Sequence, residues 1–350
     1  MSNFLKNAWY VASLSSHVER SLKPVKLLSE AIVLFRTQDG RPVALEDACP
    51  HRKLPLSLGR IKGDAVECGY HGLTFDCTGK CIDAATQARI PPFAVVRSYP
   101  VRDKYGLLWI WMGDAARADE NEIFEIENYG DPAWHTTTGD FMPIACHYLW
   151  MADNLLDPSH VAWVHRSSFA GAGTDNTPLQ LTSNESGVIS SRWVLDQTPP
   201  PFYAPLVKFE GNADRLQHYE MRYPAIAVNM GIYTPAGDGG PGMVRRPDTY
   251  VMVSYHFLTP VDEDNTVYFW LQHRNTDPHD EDITRRVAAG ARAAFAEDRV
   301  ILEAVHLGMK NRSTQTTGLL LDAAATRFRK GLSELIARES AITEAKIEKS

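Results

Sequence analysis

The sequence predicts an α+β protein, in which a small all-β domain precedes a larger domain of antiparallel sheet and helices. Three observations carry this prediction. Short strands bounded by turns fill the first hundred residues, a second run of strand candidates has few helices between its members, and two long amphipathic helices come last. With 350 residues, 44% of them hydrophobic, the chain is long enough to bury a core in each domain.

Composition excludes several classes of protein. The 36 basic and 43 acidic residues give a net charge of −7, which argues against nucleic acid as a partner. No stretch approaches the ~18 consecutive apolar residues of a membrane span, and the first residues lack the pattern of a secretory signal. Five cysteines in so long a chain form no disulfide scaffold, and their odd number fits a reducing compartment, so we expect a cytoplasmic protein.

The first domain is predicted from turns and the strands beside them. Gln38-Asp39-Gly40 is a hairpin signal, and Thr78-Gly79-Lys80 indicates a second hairpin. The strand candidates of this domain are residues 31–35, 42–46, 73–75 and 105–111. Asp, Glu, Asn and Gly are then frequent over residues 114–140, so we predict a β domain over residues 1–115 and a connecting segment over residues 116–145.

The second domain begins where helical spacing appears, from about residue 146 to 166. Few helical signals separate the extended segments that follow, so we expect one antiparallel sheet. These segments are residues 188–195, 217–223, 226–233, 250–257 and 267–272, and the amphipathic helices cover residues 282–307 and 320–349. We predict that this domain spans residues 146–340 and that the polar end, residues 341–350, frays.

Two loops of the first domain each carry one cysteine and one histidine. Cys49-Pro50-His51 and Cys68-Gly69-Tyr70-His71 lie between strand candidates, with sixteen residues between His51 and Cys68. If both thiolates bind one iron and both imidazoles the other, the loops hold a [2Fe–2S] cluster of Rieske type, with the histidines on the solvent side. A structural zinc site is the alternative, but zinc loops usually keep like ligands together. The other cysteines, Cys77, Cys81 and Cys146, are predicted to be buried free thiols.

A second group of candidate ligands lies in residues 153–165. Asn154, Asp157 and His160 are three residues apart, so we expect them along one helical face. His165 lies about 140° further around an ideal helix. Both imidazoles can therefore bind one ion only if the helix ends or distorts between them, and Pro158 supplies the cause.

A carboxylate ligand is predicted on the first long helix. An apolar stripe runs along it at i, i+3, i+4 spacing, formed by Ala291, Ala294, Phe295, Ile301, Leu302 and Val305. Asp298 falls inside this stripe, whereas Glu297 points about 100° away. His160, His165 and Asp298 would form the facial triad of a non-haem Fe(II) site with positions open for O₂. The alternatives are two ordinary histidines and an Asp298 that caps a helix or pairs with an arginine.

Three motifs resemble those of the Rieske non-haem iron oxygenases. They are Cys49-Pro50-His51-Arg52, Cys68-Gly69-Tyr70-His71-Gly72 and the run from Asn154 through Asp157 and His160 to His165. The resemblance runs from Asn7-Ala8-Trp9-Tyr10-Val11 to about residue 335. It looks closest to the group of vanillate O-demethylase, dicamba monooxygenase and toluenesulfonate methyl-monooxygenase oxygenase components, and residues 106–114 and 208–215 look like the last of these.

The resemblance implies an N-terminal Rieske [2Fe–2S] domain followed by a helix-grip catalytic domain. It implies Cys49, His51, Cys68 and His71 on the cluster, and His160, His165 and Asp298 on iron. Asp157, beside Asn154 in the same motif, would link a cluster histidine of one subunit to an iron histidine of its neighbour in a homotrimer. Lys53 departs from the pattern, since relatives often carry a small residue there.

The activity that the resemblance implies is that of a terminal oxygenase component. A separate NAD(P)H-dependent reductase supplies electrons, O₂ is the co-substrate, and a vanillate-like methoxylated aromatic acid is O-demethylated. Hydroxylation of an aryl methyl group is the alternative. Two alternatives of other classes are a non-catalytic Rieske electron-transfer protein and a zinc-stabilised binding module.

Substrate-binding residues are the least constrained part of the prediction. The available cations for a carboxylate or sulfonate are Arg245, Arg246, Lys208 and Arg222, although such residues are more often surface or structural charges. By resemblance, Asn229 and His256 fall near substrate-contacting positions, although either could be a satisfied core residue.

Overall fold

The computed structural model describes residues 3–171, 173, 177–246, 249–311 and 315–347. It divides into two compact units, one built mainly from Met1–Glu125 and the other from Ile126–Leu258 and Glu263–Ala341. The domain limits predicted at residues 115 and 146 lie on either side of this division and stay a prediction. Among the described residues, no helix combines the length and the apolar character needed to cross a bilayer.

The first unit is built mainly from β-strands. Its strands are β1 (Trp9–Leu14), β2 (Lys23–Leu27), β3 (Glu30–Arg36), β4 (Pro42–Glu46), β5 (Arg60–Lys62), β6 (Ala65–Glu67), β7 (Leu73–Phe75), β8 (Cys81–Ala84), β9 (Ser98–Tyr99), β10 (Val101–Lys104) and β11 (Leu107–Trp111). In the described residues they form the sheets β1-β11-β10, β2-β3-β4-β9 and β5-β6-β7-β8. The β3–β4 and β7–β8 pairs confirm the two predicted hairpins.

The core of the first unit lies directly beneath the two Cys–His loops. Apolar side chains of β3, β4, β6 and β7 pack together there, including the fully buried Val33, Phe35 and Val66. Cys49 and Cys68 belong to the same buried cluster. The packed strands therefore fix the positions of both cysteines.

The second unit is organised around one large antiparallel sheet. Its strands are β12 (His135–Thr136), β13 (Asp140–Ile144), β14 (Gln180–Asn184), β15 (Gly187–Gln197), β16 (Ala213–Arg222), β17 (Ile226–Pro235), β18 (Tyr250–Pro260) and β19 (Thr266–Arg274). They follow the order β12-β19-β18-β17-β16-β15-β14, and β13 also pairs with β19. The five strands predicted for this sheet are confirmed. The sequence did not predict β12 and β13, which lie in the polar segment 116–145, or the mostly exposed β14.

The helices are α1 (Tyr148–Leu156), α2 (Val161–Val164), α3 (Glu281–Lys310) and α4 (Ala323–Ile347). The Asp280 side chain accepts hydrogen bonds from the N–H groups of Asp282 and Ile283 and so begins α3. Because α4 continues to Ile347, residues 341–347 of the predicted tail are helical, and residues 348–350 lie outside the described residues.

Only part of the apolar stripe predicted on α3 is buried. Asp298 is buried, as are Ala291, Ala294 and Leu302, but Ile301 and Val305 are 46% and 39% exposed. The prediction for these two residues is wrong. Ile301 lies about 100° around the helix from Leu302, and Val305 lies about one turn beyond this last buried position.

Candidate metal centres and substrate cavity

The two Cys–His loops share one backbone design. In the first loop, Cys49 N donates to Leu54 O at 2.9 Å and Lys53 N donates to Cys49 O at 2.8 Å. The second loop repeats both bonds, from Cys68 N to Leu73 O at 2.8 Å and from Gly72 N to Cys68 O at 3.1 Å. The loops therefore present their cysteines and histidines in equivalent frames.

The cysteines of these loops face inward and the histidines face outward. Cys49 and Cys68 are each 2% exposed, whereas His51 is exposed and His71 is half-buried. The two imidazole rings have centroids 4.7 Å apart, and His71 Nδ1 is buried without a hydrogen-bond partner. Burial and the neighbouring Cys68 raise the pKa of the Cys49 thiol. Two inner sulfurs and two outer nitrogens are the donors that a Rieske [2Fe–2S] cluster requires, so the residues fit this group.

Lys53 and Gly72 occupy the same position in the two loops. Their φ angles are 59° and 73°, in the left-handed region that favours glycine. A Cβ on Gly72 would lie 2.8 Å from the Cβ of Ala85, whereas the Lys53 side chain extends into solvent, with Nζ 3.8 Å from Glu46 Oε1. The lysine therefore stands where the loop backbone is suited to glycine.

The other cysteines make no group with metal-ligand geometry in the described residues. Cys81 and Cys146 are buried free thiols, as predicted, whereas Cys77 is only half-buried. Burial raises the pKa of Cys146 to about 12, so this thiol stays protonated.

Helix α1 ends before both candidate ligand histidines, which lie at the two ends of the short helix α2. α1 stops at Leu156, and Asp157 follows as its C-cap, with Oδ1 accepting a hydrogen bond from Ser159 N at 2.7 Å. His160 is the N-cap and His165 the C-cap of α2. The helix breaks near Pro158, as predicted, but this break precedes both histidines. The helix end that lies between them is at Val164, so Pro158 is not its cause. The prediction that Asn154, Asp157 and His160 share one helical face is wrong, because the helix does not continue through them.

The short helix α2 places His160 and His165 beside one carboxylate of α3. Asp298 Oδ1 lies 3.6 Å from His160 Nε2 and 3.2 Å from His165 Nε2. The three residues can each offer a ligand atom within 4.8 Å of the others. Asp298 is only 7% exposed and its Oδ1 makes no hydrogen bond. Since a buried carboxylate oxygen without a partner is costly, the group fits a bound cation.

The outer nitrogens of both imidazoles are held by acceptors. His160 Nδ1 lies 2.5 Å from Asp157 O, and His165 Nδ1 lies 2.7 Å from Glu297 Oε2. An acceptor at Nδ1 places the proton there and leaves the Nε2 lone pair for a metal. Burial alone would lower the pKa of His165, but Asp298 and Glu297 outweigh it and raise that pKa. Sequence reasoning missed Glu297, because a neighbour of an inward-facing residue is expected to face away.

A cavity opens beside these three residues, between α3 and the inner face of the large sheet. Asn229 and His256 both line it, and Asn229 Oδ1 and His256 Nε2 are buried without partners. His256 Nδ1 lies 2.6 Å from Tyr268 Oη, and burial lowers the pKa of His256 to about 3, so the imidazole is neutral at physiological pH. Asn154 and Asp157 do not line the cavity.

The cations proposed for substrate lie outside this cavity. Arg245 is exposed, with Nη2 3.6 Å from Met230 Sδ. The other three pair with carboxylates: Lys208 with Asp277, Arg222 with Glu220, and Arg246 with Asp238. Instead Arg215, which the sequence analysis did not select, lines the cavity and is 4% exposed. Its alternation with Gln217 and Tyr219 along β16 was the available signal, but an arginine is ordinarily expected at the surface.

A β domain with two Cys–His loops, followed by a sheet-and-helix domain with two histidines and one carboxylate, defines an iron oxygenase supplied by an iron–sulfur cluster. Comparison with known families agrees. The Rieske [2Fe-2S] domain matches residues 8–100, and the vanillate O-demethylase oxygenase C-terminal domain matches residues 144–338. The chain belongs to this family of Rieske non-haem iron oxygenases.

Individual relatives cover most of the chain. The toluene-4-sulfonate monooxygenase system iron-sulfur subunit of Comamonas testosteroni is 36% identical over 86% of this chain and 88% of its own. The vanillate O-demethylase oxygenase subunit of Pseudomonas sp. strain HR199 is 33% identical over 98% of each. Dicamba monooxygenase structures bound to 3,6-dichlorosalicylic acid, or holding non-haem iron and dicamba, match with TM-scores of 0.88 and 0.81, at 28% identity over 97% of this chain and 99% of theirs.

The protein is thus an oxidoreductase, the oxygenase component of a Rieske monooxygenase of the demethylase group. Its cofactors are a Rieske [2Fe–2S] cluster and a mononuclear non-haem iron, and its co-substrate is O₂. An oxygenase component implies a separate reductase as partner. Membership of this family sets aside the zinc-stabilised module and the non-catalytic electron-transfer protein.

Proposed function

We propose that the protein O-demethylates a methoxylated aromatic acid of vanillate type, releasing formaldehyde and a phenol. The observation that carries this proposal is the cavity beside His160, His165 and Asp298. It combines apolar and aromatic walls with a few polar groups, as a site for a small aromatic molecule does. Relatives of this chain are named vanillate and dicamba O-demethylases.

The proposal assigns each candidate ligand a role. Cys49, Cys68, His51 and His71 hold the cluster. His160, His165 and Asp298 hold the iron, which when bound supplies the activation of O₂ and the transfer of one oxygen atom into a C–H bond. Hydroxylation of the methoxy carbon gives a hemiacetal that collapses to the phenol and formaldehyde.

The cavity residues position the substrate and exclude water. The neutral His256 imidazole and the Asn229 amide supply hydrogen-bonding atoms without charge, because His256 Nε2 and Asn229 Oδ1 make no hydrogen bond within the protein. Phe169 and Phe295 form part of the apolar wall. No side chain acts as a nucleophile, so these residues contribute orientation and a dry environment.

Electron supply completes the proposal. We propose an NAD(P)H-dependent reductase, a cytoplasmic location and a homotrimer in which Asp157 bridges the iron centre to the cluster of the neighbouring subunit. Asp157 suits this role because its backbone oxygen holds His160 and its Oδ1 is held by Ser159 N, which leaves Oδ2 for an imidazole. Asn154, in the last turn of α1, would support the same junction.

Hydroxylation of an aryl methyl group is the second candidate function. Identity of 36% to a toluene-4-sulfonate monooxygenase subunit favours it. The same residues would serve, with a methyl carbon in place of the methoxy carbon, and the product would be a benzylic alcohol.

The test is a turnover screen with anaerobically purified protein, a reductase and NADH. The substrates are methoxybenzoates, chlorinated methoxybenzoates and methylbenzenesulfonates. Formaldehyde release in step with O₂ uptake supports demethylation, whereas alcohol formation supports methyl hydroxylation. If none of these substrates changes O₂ uptake or yields product, the proposal of an aromatic acid substrate is wrong.

A further inference from the structure

Arg215 is a buried cation with no carboxylate beside it. Its side chain is 4% exposed, and Nη2 is buried without a hydrogen-bond partner. Among the residues that the structure describes, no carboxylate oxygen lies within ion-pair distance of its guanidinium. The adjacent Asp214 is already occupied, since its carboxylate accepts hydrogen bonds from the backbone of Asp196, Gly237 and Gly239. A guanidinium stays charged in proteins, and an unpaired buried charge is costly, so this position favours binding of an anion.

The groups around Arg215 do not supply that anion. Arg215 pairs across the sheet with Tyr233, and its charge also acts on Tyr203. Burial raises the pKa of both phenols, in spite of the arginine, so they stay neutral at physiological pH. A neutral hydroxyl can orient a guanidinium but leaves its charge uncompensated.

Gln217, two residues after Arg215 on the same face of β16, supplies a second hydrogen-bond donor. Gln217 Oε1 accepts a hydrogen bond from Arg192 Nε at 2.7 Å, and because an arginine can only donate, the acceptor must be the amide oxygen. The Gln217 Nε2 group is left as a donor in a residue that lines the cavity. Arg215 and Gln217 on one face of β16 thus offer donors, which is the chemistry of an anion site.

The sheet leaves room for an aromatic ring between Arg215 and the candidate metal ligands. Across β16 and β17, Arg215 faces Tyr233, Gln217 faces Gly231, and Tyr219 faces Asn229. Gly231 adds no side chain to the middle row, where a Cβ would lie 3.3 Å from the Tyr233 ring. The four-residue step from Arg215 to Tyr219 spans ~13 Å of strand, enough for one aromatic ring.

We infer that Arg215, assisted by Gln217, binds the carboxylate or sulfonate of the substrate and so restricts this oxygenase to anionic aromatic compounds. The inference rests on the proposed function, which it deepens: the acid group anchors at the Arg215 end while the methoxy or methyl carbon faces His160, His165 and Asp298. Arg215 is a specificity-determining residue that touches the substrate but not the reacting atoms.

Binding to the holoenzyme without reductase tests the inference, with calorimetry as the measurement. The probes are 4-methoxybenzoate, 4-methylbenzenesulfonate and the neutral isostere 4-methoxybenzamide. We expect Arg215→Met to weaken binding of both anions by about 10-fold to 150-fold, as loss of a charged hydrogen bond does, and binding of the amide by less than about 3-fold. Arg215→Lys should keep part of the anion affinity, because the charge remains.

Arg285→Met is the matched control, since Arg285 is an exposed arginine of α3 that pairs with Asp282. It should leave all three affinities and the visible spectrum of the cluster unchanged. Equal weakening of acid and amide in Arg215→Met would assign Arg215 a structural role and overturn the inference. So would a wild-type protein that binds acid and amide equally well.

The proposed function can fail separately. If anion binding depends on Arg215 but no probe yields formaldehyde or alcohol with a reductase, the inference stands and the reaction is wrong. If 4-methoxybenzamide is demethylated as readily as the acid, and Arg215→Met changes neither rate, the reaction stands and the inference is overturned.

Discussion

Glu297 Oε2 and His165 Nδ1 lie 2.7 Å apart, and this contact fixes the imidazole between two consecutive residues of α3. On its other side, His165 Nε2 lies 3.2 Å from Asp298 Oδ1. A carboxylate behind a histidine ligand sets its tautomer and raises its basicity. Two adjacent residues of α3, Glu297 and Asp298, therefore hold His165 from both sides. The position of α3, which begins after the N-cap Asp280 and is buried as far as Leu302, determines where these two side chains lie.

Removing the carboxylate of Glu297 should weaken iron binding. We expect Glu297→Ala to lower the affinity of the mononuclear site for Fe(II) by about 10-fold to 100-fold, with the cluster retained. Glu297→Gln is the matched variant, because it keeps an acceptor for His165 Nδ1 and should lose much less. Titration of iron-depleted protein with Fe(II) measures both. Equal affinities in wild type and Glu297→Ala would show that the contact does not support the site.

Substitutions at the two loop positions with positive φ, Gly72 and Lys53, should have different effects on the cluster. Gly72→Ala places a Cβ in the left-handed region, at a cost of about 1–2 kcal/mol, and also 2.8 Å from the Ala85 Cβ. We expect loss of cluster absorbance and a lower Tm. Lys53→Gly is the control at the equivalent position and should keep the cluster. A Gly72→Ala protein with full cluster content would contradict the described loop geometry.

His273 should make stability depend on pH below neutrality. Burial lowers the pKa of His273 to about 4, and its Nδ1 lies 2.8 Å from Thr136 Oγ1. An unfolded histidine has a pKa near ~6.5, so between about pH 6.5 and 4 the unfolded chain binds the extra proton. Stability should fall as pH falls through this window, by up to ~1.4 kcal/mol per pH unit. His273→Gln should flatten urea-measured stability over this range, and an unchanged slope would refute the assignment.

Phe328 should contribute strongly to the docking of α4. It is fully buried and its ring stacks on Tyr223 with centroids 5.0 Å apart. Phe328→Ala should destabilise the protein by about 3–5 kcal/mol, which a denaturant titration or Tm detects. Ile342→Ala, at an exposed position of the same helix, should change stability by less than about 0.5 kcal/mol. Similar small effects of both would mean that α4 does not pack as described.

The sequence predicted most of the architecture because its signals are local. Strand alternation, hairpin turns and the Cys–His spacing depend only on neighbouring residues, so the sequence alone predicts the five central strands and both candidate ligand groups. What it missed depends on tertiary packing. Glu297 and Arg215 acquire their surroundings only when α3 meets the sheet, and the end of α1 at Leu156 moves Asp157 and His160 off one helical face. The exposure of Ile301 and Val305 likewise depends on where the residues that pack against α3 end.

The central claim is that one chain carries two separate iron centres, and His160→Ala tests it most directly. Iron and acid-labile sulfide assays, with electron paramagnetic resonance of the reduced cluster, should be made on anaerobically purified wild type and variant. We predict about three irons and two sulfides per wild-type chain, and about two of each in the variant, with the cluster signal intact and turnover lost. A variant that keeps the third iron and still turns over would contradict the account.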